Sequence, residues 1–115
     1  MAITRIDPGK RLSGAVVHGE TVYLAGQVAD KTKADIKGQT QEVLGKIDKL
    51  LAKAGTKKSN LLSVQIFLPD MRNFAAMNEV WEKWMDPTNP PARATIGAAL
   101  ATPELLVEIM AVAAK

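Results

Sequence analysis

The sequence predicts an α+β domain, one β-sheet with two helices packed on the same face. Three observations carry this expectation. Apolar residues recur at helical spacing over residues 36–54 and again over about 73–85, with a single apolar run between them. Two short β-rich runs precede the first helical stretch, and two more follow the second. Proline, glycine and short polar residues stand at the junctions, where they break regular structure. The predicted order is β-β-α-β-α-β-β, and helices separated by single strands suit a sheet with both helices on one side.

Residues 14–18 (GAVVH) and 21–25 (TVYLA) are the first two strands, and Gly19-Glu20 between them reads as a tight hairpin turn. Ile36, Thr40, Val43, Leu44, Ile47, Leu50, Leu51 and Ala54 then form one stripe of an amphipathic helix. Asp35 is placed to cap its start and Gly55 to stop it. Residues 61–68 (LLSVQIFL) read as a strand closed by Pro69-Asp70. The second helix spans about 73–85, with Phe74, Met77, Trp81 and Trp84 or Met85 facing inward. Pro87, Pro90 and Pro91 bar its continuation. Residues 93–99 and 105–113 are the last two strands, joined through Ala101, Thr102 and Pro103. These strands carry apolar residues on both sides. The sheet face away from the helices is therefore predicted to be buried by neighbouring subunits.

A chain of 115 residues suits one domain, taken here as residues 1–115. Hydrophobic residues make up 47% and charged residues 23%, an ordinary globular composition. There is no cysteine, which excludes disulfides, thiolate metal sites and a thiol nucleophile. His18 is the one histidine and lies beside the predicted turn, so with no cysteine no metal site is expected. The opening MAITRIDPGKR has no apolar segment of the signal-peptide type. No apolar run approaches the roughly 20 residues that cross a bilayer. A cytoplasmic protein without a membrane partner is expected. The net charge of +3 owes much to Lys46, Lys49, Lys53, Lys57 and Lys58 at or near the end of the first helix. No aromatic residues interleave with them as stacking platforms, so a solvated helix face is expected rather than a nucleic-acid interface.

Two charges interrupt the apolar strands of the last third. Side chains alternate along a strand, so Glu108 shares a face with Leu106, Met110 and Val112 and is the one charge of its run. Arg93 shares a face with the small residues Thr95, Gly97 and Ala99, which leaves room beside the guanidinium. A lone buried carboxylate costs several kcal/mol unless it is paired or protonated. Two readings are open at this point. Arg93 and Glu108 form a structural ion pair, or Glu108 faces solvent on an edge. Alternatively they belong to a polar pocket, where the arginine fork receives a carboxylate ligand and the glutamate handles a water.

In sequence order, "YLAGQV" (23–28), "LLAKAG" (50–55), "VQIFLPDMRNFAAMNEVWEKW" (64–84) and "PPARATIGAALATPELLVEIMAVAA" (90–114) resemble the RidA/YjgF family of reactive imine and enamine deaminases. The similarity covers nearly the whole chain and includes Phe74 and Asn78. It implies a chorismate-mutase-like fold with a mixed sheet, and a homotrimer of barrel-like form with sites in the clefts between subunits. It also implies hydrolysis of 2-imino acids or their enamine tautomers to 2-keto acids and ammonia, without metal or cofactor. The family's signature arginine falls on Arg93 and its acid on Glu108. Thr95 stands where many members have cysteine and is expected to line the site with its backbone. The resemblance also implies Gly26 as a pocket wall, and Asn78 is expected to contact substrate. Many members carry "G-P-Y" before the first strand, with a tyrosine hydroxyl reaching the site. Here the stretch is Lys10-Arg11-Leu12, so that hydroxyl is missing, which bears on substrate range and on activity. Arg11, or Lys10, could then receive a second anionic group, giving a preference for acidic imino acids. The alternatives are a non-catalytic module that binds small carboxylates such as 2-keto acids, and a ribonuclease or translation inhibitor.

Overall fold

The computed structural model describes residues 1–115. Six strands and two helices follow in the order β1 (Ile3–Pro8), β2 (Ser13–His18), β3 (Thr21–Gln27), α1 (Ile36–Lys53), β4 (Leu61–Leu68), α2 (Phe74–Trp84), β5 (Ala92–Gly97) and β6 (Glu108–Ala114). They form one mixed sheet in the order β1-β2-β3-β6-β4-β5. Only β4 and β5 pair in parallel, and α2 provides the crossover that parallel neighbours require. The last strand, β6, inserts between β3 and β4 and pairs antiparallel with both. The segment β3-α1-β4 is thus a βαβ unit split by β6.

Local chemistry explains the boundaries. The Asp35 carboxylate accepts the Gly38 N–H at 2.9 Å and caps α1. Gly55, at φ +80°, ends it. The Thr56 N–H returns to the Leu51 carbonyl at 2.9 Å and the Gly55 N–H to that of Ala52 at 3.0 Å, a Schellman closure. Gly19 has φ +61° in the two-residue turn between His18 and Thr21, where positive φ keeps the hairpin in twist.

Both helices cover one face of the sheet. Val43, Leu44, Ile47 and Leu51 of α1 and Met77, Val80 and Trp81 of α2 are buried there. They meet Val22, Leu24, Val64, Ile66, Leu68, Ile109 and Ala111 of the strands. Leu44 is 1% exposed and sits in this layer. Leu44→Ala should lower unfolding stability by about 2–5 kcal/mol, read from denaturant midpoints at unchanged m-value.

Four details differ from the sequence expectation. An additional strand, β1, pairs with β2 from Ile3↔His18 to Pro8↔Ser13. It is an edge strand exposed over most of its length, so it carries no apolar alternation. The strand expected over 93–99 ends at Gly97, and the one expected over 105–113 begins at Glu108 and runs to Ala114. Phe74, expected to face inward, is 41% exposed, because it opens α2 ahead of the turn that reaches the sheet. The face away from the helices has no cover within the chain. Tyr23 and Ile96 lie on it, 48% and 41% exposed. No helix is long and apolar enough to cross a membrane.

Candidate functional site

Arg93 lies on β5 beside Val64 of β4, on the helix side of the sheet. Its guanidinium carbon stands 5.1 Å from the centre of the Trp81 ring. A strongly hydrated group thus enters an apolar strand by resting its charge on an aromatic face. None of the five ion pairs of the chain contains Arg93 or Glu108. The arginine fork is therefore left open. Partial burial pulls the guanidinium's pKa below its ordinary value, and the Glu82 carboxylate opposes that shift. Thr95 follows on the same face, with its hydroxyl oxygen shielded from water and without a hydrogen-bond partner. Asn78 is half-buried on α2, one turn before Trp81.

Glu108 opens β6 opposite Phe67 of β4 and points to the uncovered face. Opposite Met110, the β3 strand carries one extra residue: Leu24 pairs with Ala111 and Gln27 with Ile109, so Ala25 and Gly26 form a bulge. The Glu108 side chain lies across the bulge. A Cβ at Gly26 would collide with the Glu108 carboxylate oxygen and sit 3.0 Å from its carbon. The missing side chain at Gly26 thus leaves the space that the glutamate occupies.

Arg93 and Glu108 do not meet within one chain. Their register partners on β4, Val64 and Phe67, are three residues apart and point to opposite faces. The offset is about 10 Å along the strand, with the sheet itself between them. The intrachain ion pair left open by the sequence is thereby excluded. The residues fall into two groups. Arg93, Thr95 and Asn78 stand on the helix side near Trp81, and Gly26 and Glu108 stand on the uncovered face.

Arg11 and Leu12 belong to neither group. They lie exposed in the β1–β2 loop, where Asp7, Gly9 and Lys10 complete an open recess with them. The recesses of the single chain do not enclose Arg93 or Glu108. One of about 260 Å³ runs between α1 and α2, lined by Lys37, Leu44, Val80 and Trp84 among others. No group of three or more His, Cys, Asp or Glu side chains could hold a metal ion. The sequence named Gly26 but neither the bulge that holds it nor the seat that Trp81 gives to Arg93. The tryptophan was read as core, which it also is, and a bulge leaves no local signal beyond its glycine.

Comparison with known proteins agrees with this fold. Residues 2–115 match a family model described as "Endoribonuclease L-PSP". A RutC family protein of Haemophilus influenzae is 50% identical over 98% of each chain. The RutC family protein YoaB of Escherichia coli is 43% identical over 99% of each. Among solved structures, a YjgF-family protein from Neisseria meningitidis superposes with a TM-score of 0.97 at 38% identity, covering 100% of this chain and 96% of the other. A protein from Pseudomonas aeruginosa gives a TM-score of 0.96 at 39% identity, over 99% of both chains. Near-complete coverage in both directions, together with the matching fold, shows that the chain belongs to the YjgF/RidA family, among whose curated members it resembles the RutC proteins.

Proposed function

We propose that the protein hydrolyses reactive 2-imino acids and enamines of the 2-aminoacrylate type, giving 2-keto acids and ammonia. The reaction takes place at clefts between the subunits of a homotrimer, in the cytoplasm. One observation carries the reading. Two unpaired charges stand on opposite sides of a sheet whose second face is apolar and uncovered. A second copy docked on that face brings the Glu108 of one chain toward the Arg93 of another. Burial of Tyr23, Ile96 and their neighbours supplies the driving force for docking.

The chemistry asks little of the protein. A protonated imine is already electrophilic, so substrate must be held and one water aimed. The Arg93 fork binds the substrate carboxylate through two parallel hydrogen bonds. The Glu108 carboxylate takes a proton from water as its oxygen attacks the imine carbon. The tetrahedral carbinolamine that forms carries one hydroxyl and one amino group. Glu108 returns the proton to the nitrogen, the C–N bond breaks to release ammonia, and the C–O bond becomes the keto carbonyl as the hydroxyl proton passes to the freed Glu108 carboxylate and on to the departing ammonia. Gly26 and the Thr95 backbone wall the cleft, and Asn78 contacts substrate from α2.

Leu12 in place of a tyrosine favours a second reading, a trimer that binds 2-keto acids without turning substrate over. The family model's description names a ribonuclease, but Lys46 and Lys53 are engaged with Asp30 and Asp7, which lowers the free positive charge along α1. The test is ammonia release from freshly generated 2-aminoacrylate, with pyruvate binding measured in parallel. Release above the spontaneous rate, abolished by excess pyruvate, is expected. Tight pyruvate binding with no added release would leave the binding module. RNA cleavage that depends on Arg93 would restore the nuclease.

A further inference from the structure

Gln39, in the first turn of α1, is fully buried. Its amide nitrogen donates to the carbonyl oxygens of Thr32 at 3.2 Å, Ala34 at 3.1 Å and Glu104 at 3.0 Å. Its amide oxygen accepts the Leu106 N–H at 2.9 Å. One side chain thus ties two segments distant in sequence, the loop that leaves β3 and the loop that enters β6. Glu108 follows Leu106 by two residues, and Gly26 precedes the first loop. The two loops therefore continue directly into the bulge and into the carboxylate that lies across it.

Other side chains hold one loop each. Glu42 accepts the N–H groups of Asp30 and Lys31, at 2.6 and 3.1 Å, and Lys46 donates to the Val28 carbonyl at 2.7 Å. Of these groups, Gln39 alone reaches both loops. Hydrogen bonds that span two segments fix their relative position, and burial makes each one costly to lose. An ordinary fully buried helix position would take leucine. An amide here satisfies the backbone groups of a segment that is not yet strand.

We propose that Gln39 is a positioning residue for Glu108: it sets the height of β6 against the β3 bulge and so aims the carboxylate. This rests on the reading of Glu108 as the base that activates water. In the Gln39→Met variant the pyruvate affinity should remain within about twofold, because Arg93 stands on another strand and the opposite face. The turnover number should fall about 10–100-fold, the scale set by a misplaced catalytic group. Gln39→Asn keeps an amide at the site but is one methylene too short to span both loops. It should show the same split, and it decides the matter if the methionine variant does not fold. A turnover number unchanged per folded protein, or pyruvate affinity lost in step with turnover, would overturn the proposal. A second readout is independent of activity: the NMR cross-peak between the Gly26 Hα and Glu108 Hγ protons. Its weakening in the variants supports the positioning role even if the wild type releases no ammonia, and its persistence at full intensity refutes it.

Discussion

Arg93→Ala is expected to lower kcat/KM for a 2-imino acid by about 10²–10⁴-fold, from two charge-assisted hydrogen bonds of roughly 1.5–3 kcal/mol each. Pyruvate affinity should fall on the same scale, since the fork grips product as it grips substrate. The fork needs no rearrangement to bind, because no acid of its own chain occupies it. Its guanidinium already rests on the Trp81 ring, so little side-chain freedom is left to lose. Arg93→Lys keeps the charge and loses the paired geometry, and should fall between wild type and alanine. Burial lowers the guanidinium pKa, yet arginine stays charged at any working pH. Pyruvate affinity should therefore be flat across the neutral range. Loss of the aromatic contact costs about 0.5–1 kcal/mol of stability, too little to unfold the variant. Titration calorimetry with pyruvate and a thermal melt check both parts. Undiminished affinity in Arg93→Ala would remove the carboxylate site from β5.

Much of this was legible in the chain, and the failures share a cause. Helix α1 was legible because its signals are local: a stripe from Ile36 to Ala54, a cap at Asp35 and a glycine stop at Gly55. Alternation within strands was legible for the same reason, and it grouped Glu108 with Met110 and Val112, and Arg93 with Thr95, as the fold does. Whether two strands turn their charges to one face or to opposite faces is a different kind of fact. It depends on β4, which pairs Val64 with Arg93 and Phe67 with Glu108. That register is nonlocal, and no window of sequence contains it. Strand β1 escaped because an exposed edge needs no apolar pattern, only a partner for its backbone. The buried amide of Gln39 escaped because its four partners lie in two loops, one of them 65 residues away in sequence at Glu104.

The opposite placement of the two charges yields the sharpest test of the whole reading. Glu108→Gln keeps shape and hydrogen bonding and removes the base. It should lower kcat about 10²–10⁴-fold and leave pyruvate affinity nearly unchanged. Arg93→Ala and Glu108→Gln are then two inactive proteins with different lesions. When they are unfolded together in equal amounts and refolded, random trimers form. On the proposed reading, each cleft takes its arginine from one chain and its glutamate from the next. A cleft is intact when the first chain carries Glu108→Gln and the second Arg93→Ala, which for a cyclic assembly happens at about one interface in four. Roughly a quarter of wild-type activity should therefore return. Refolding either variant alone should return none. If both groups acted from a single chain, every site in the mixture would carry one lesion and nothing would be recovered. That would contradict the register of β5 and β6 around β4, and with it the assignment of the site to the boundary between copies.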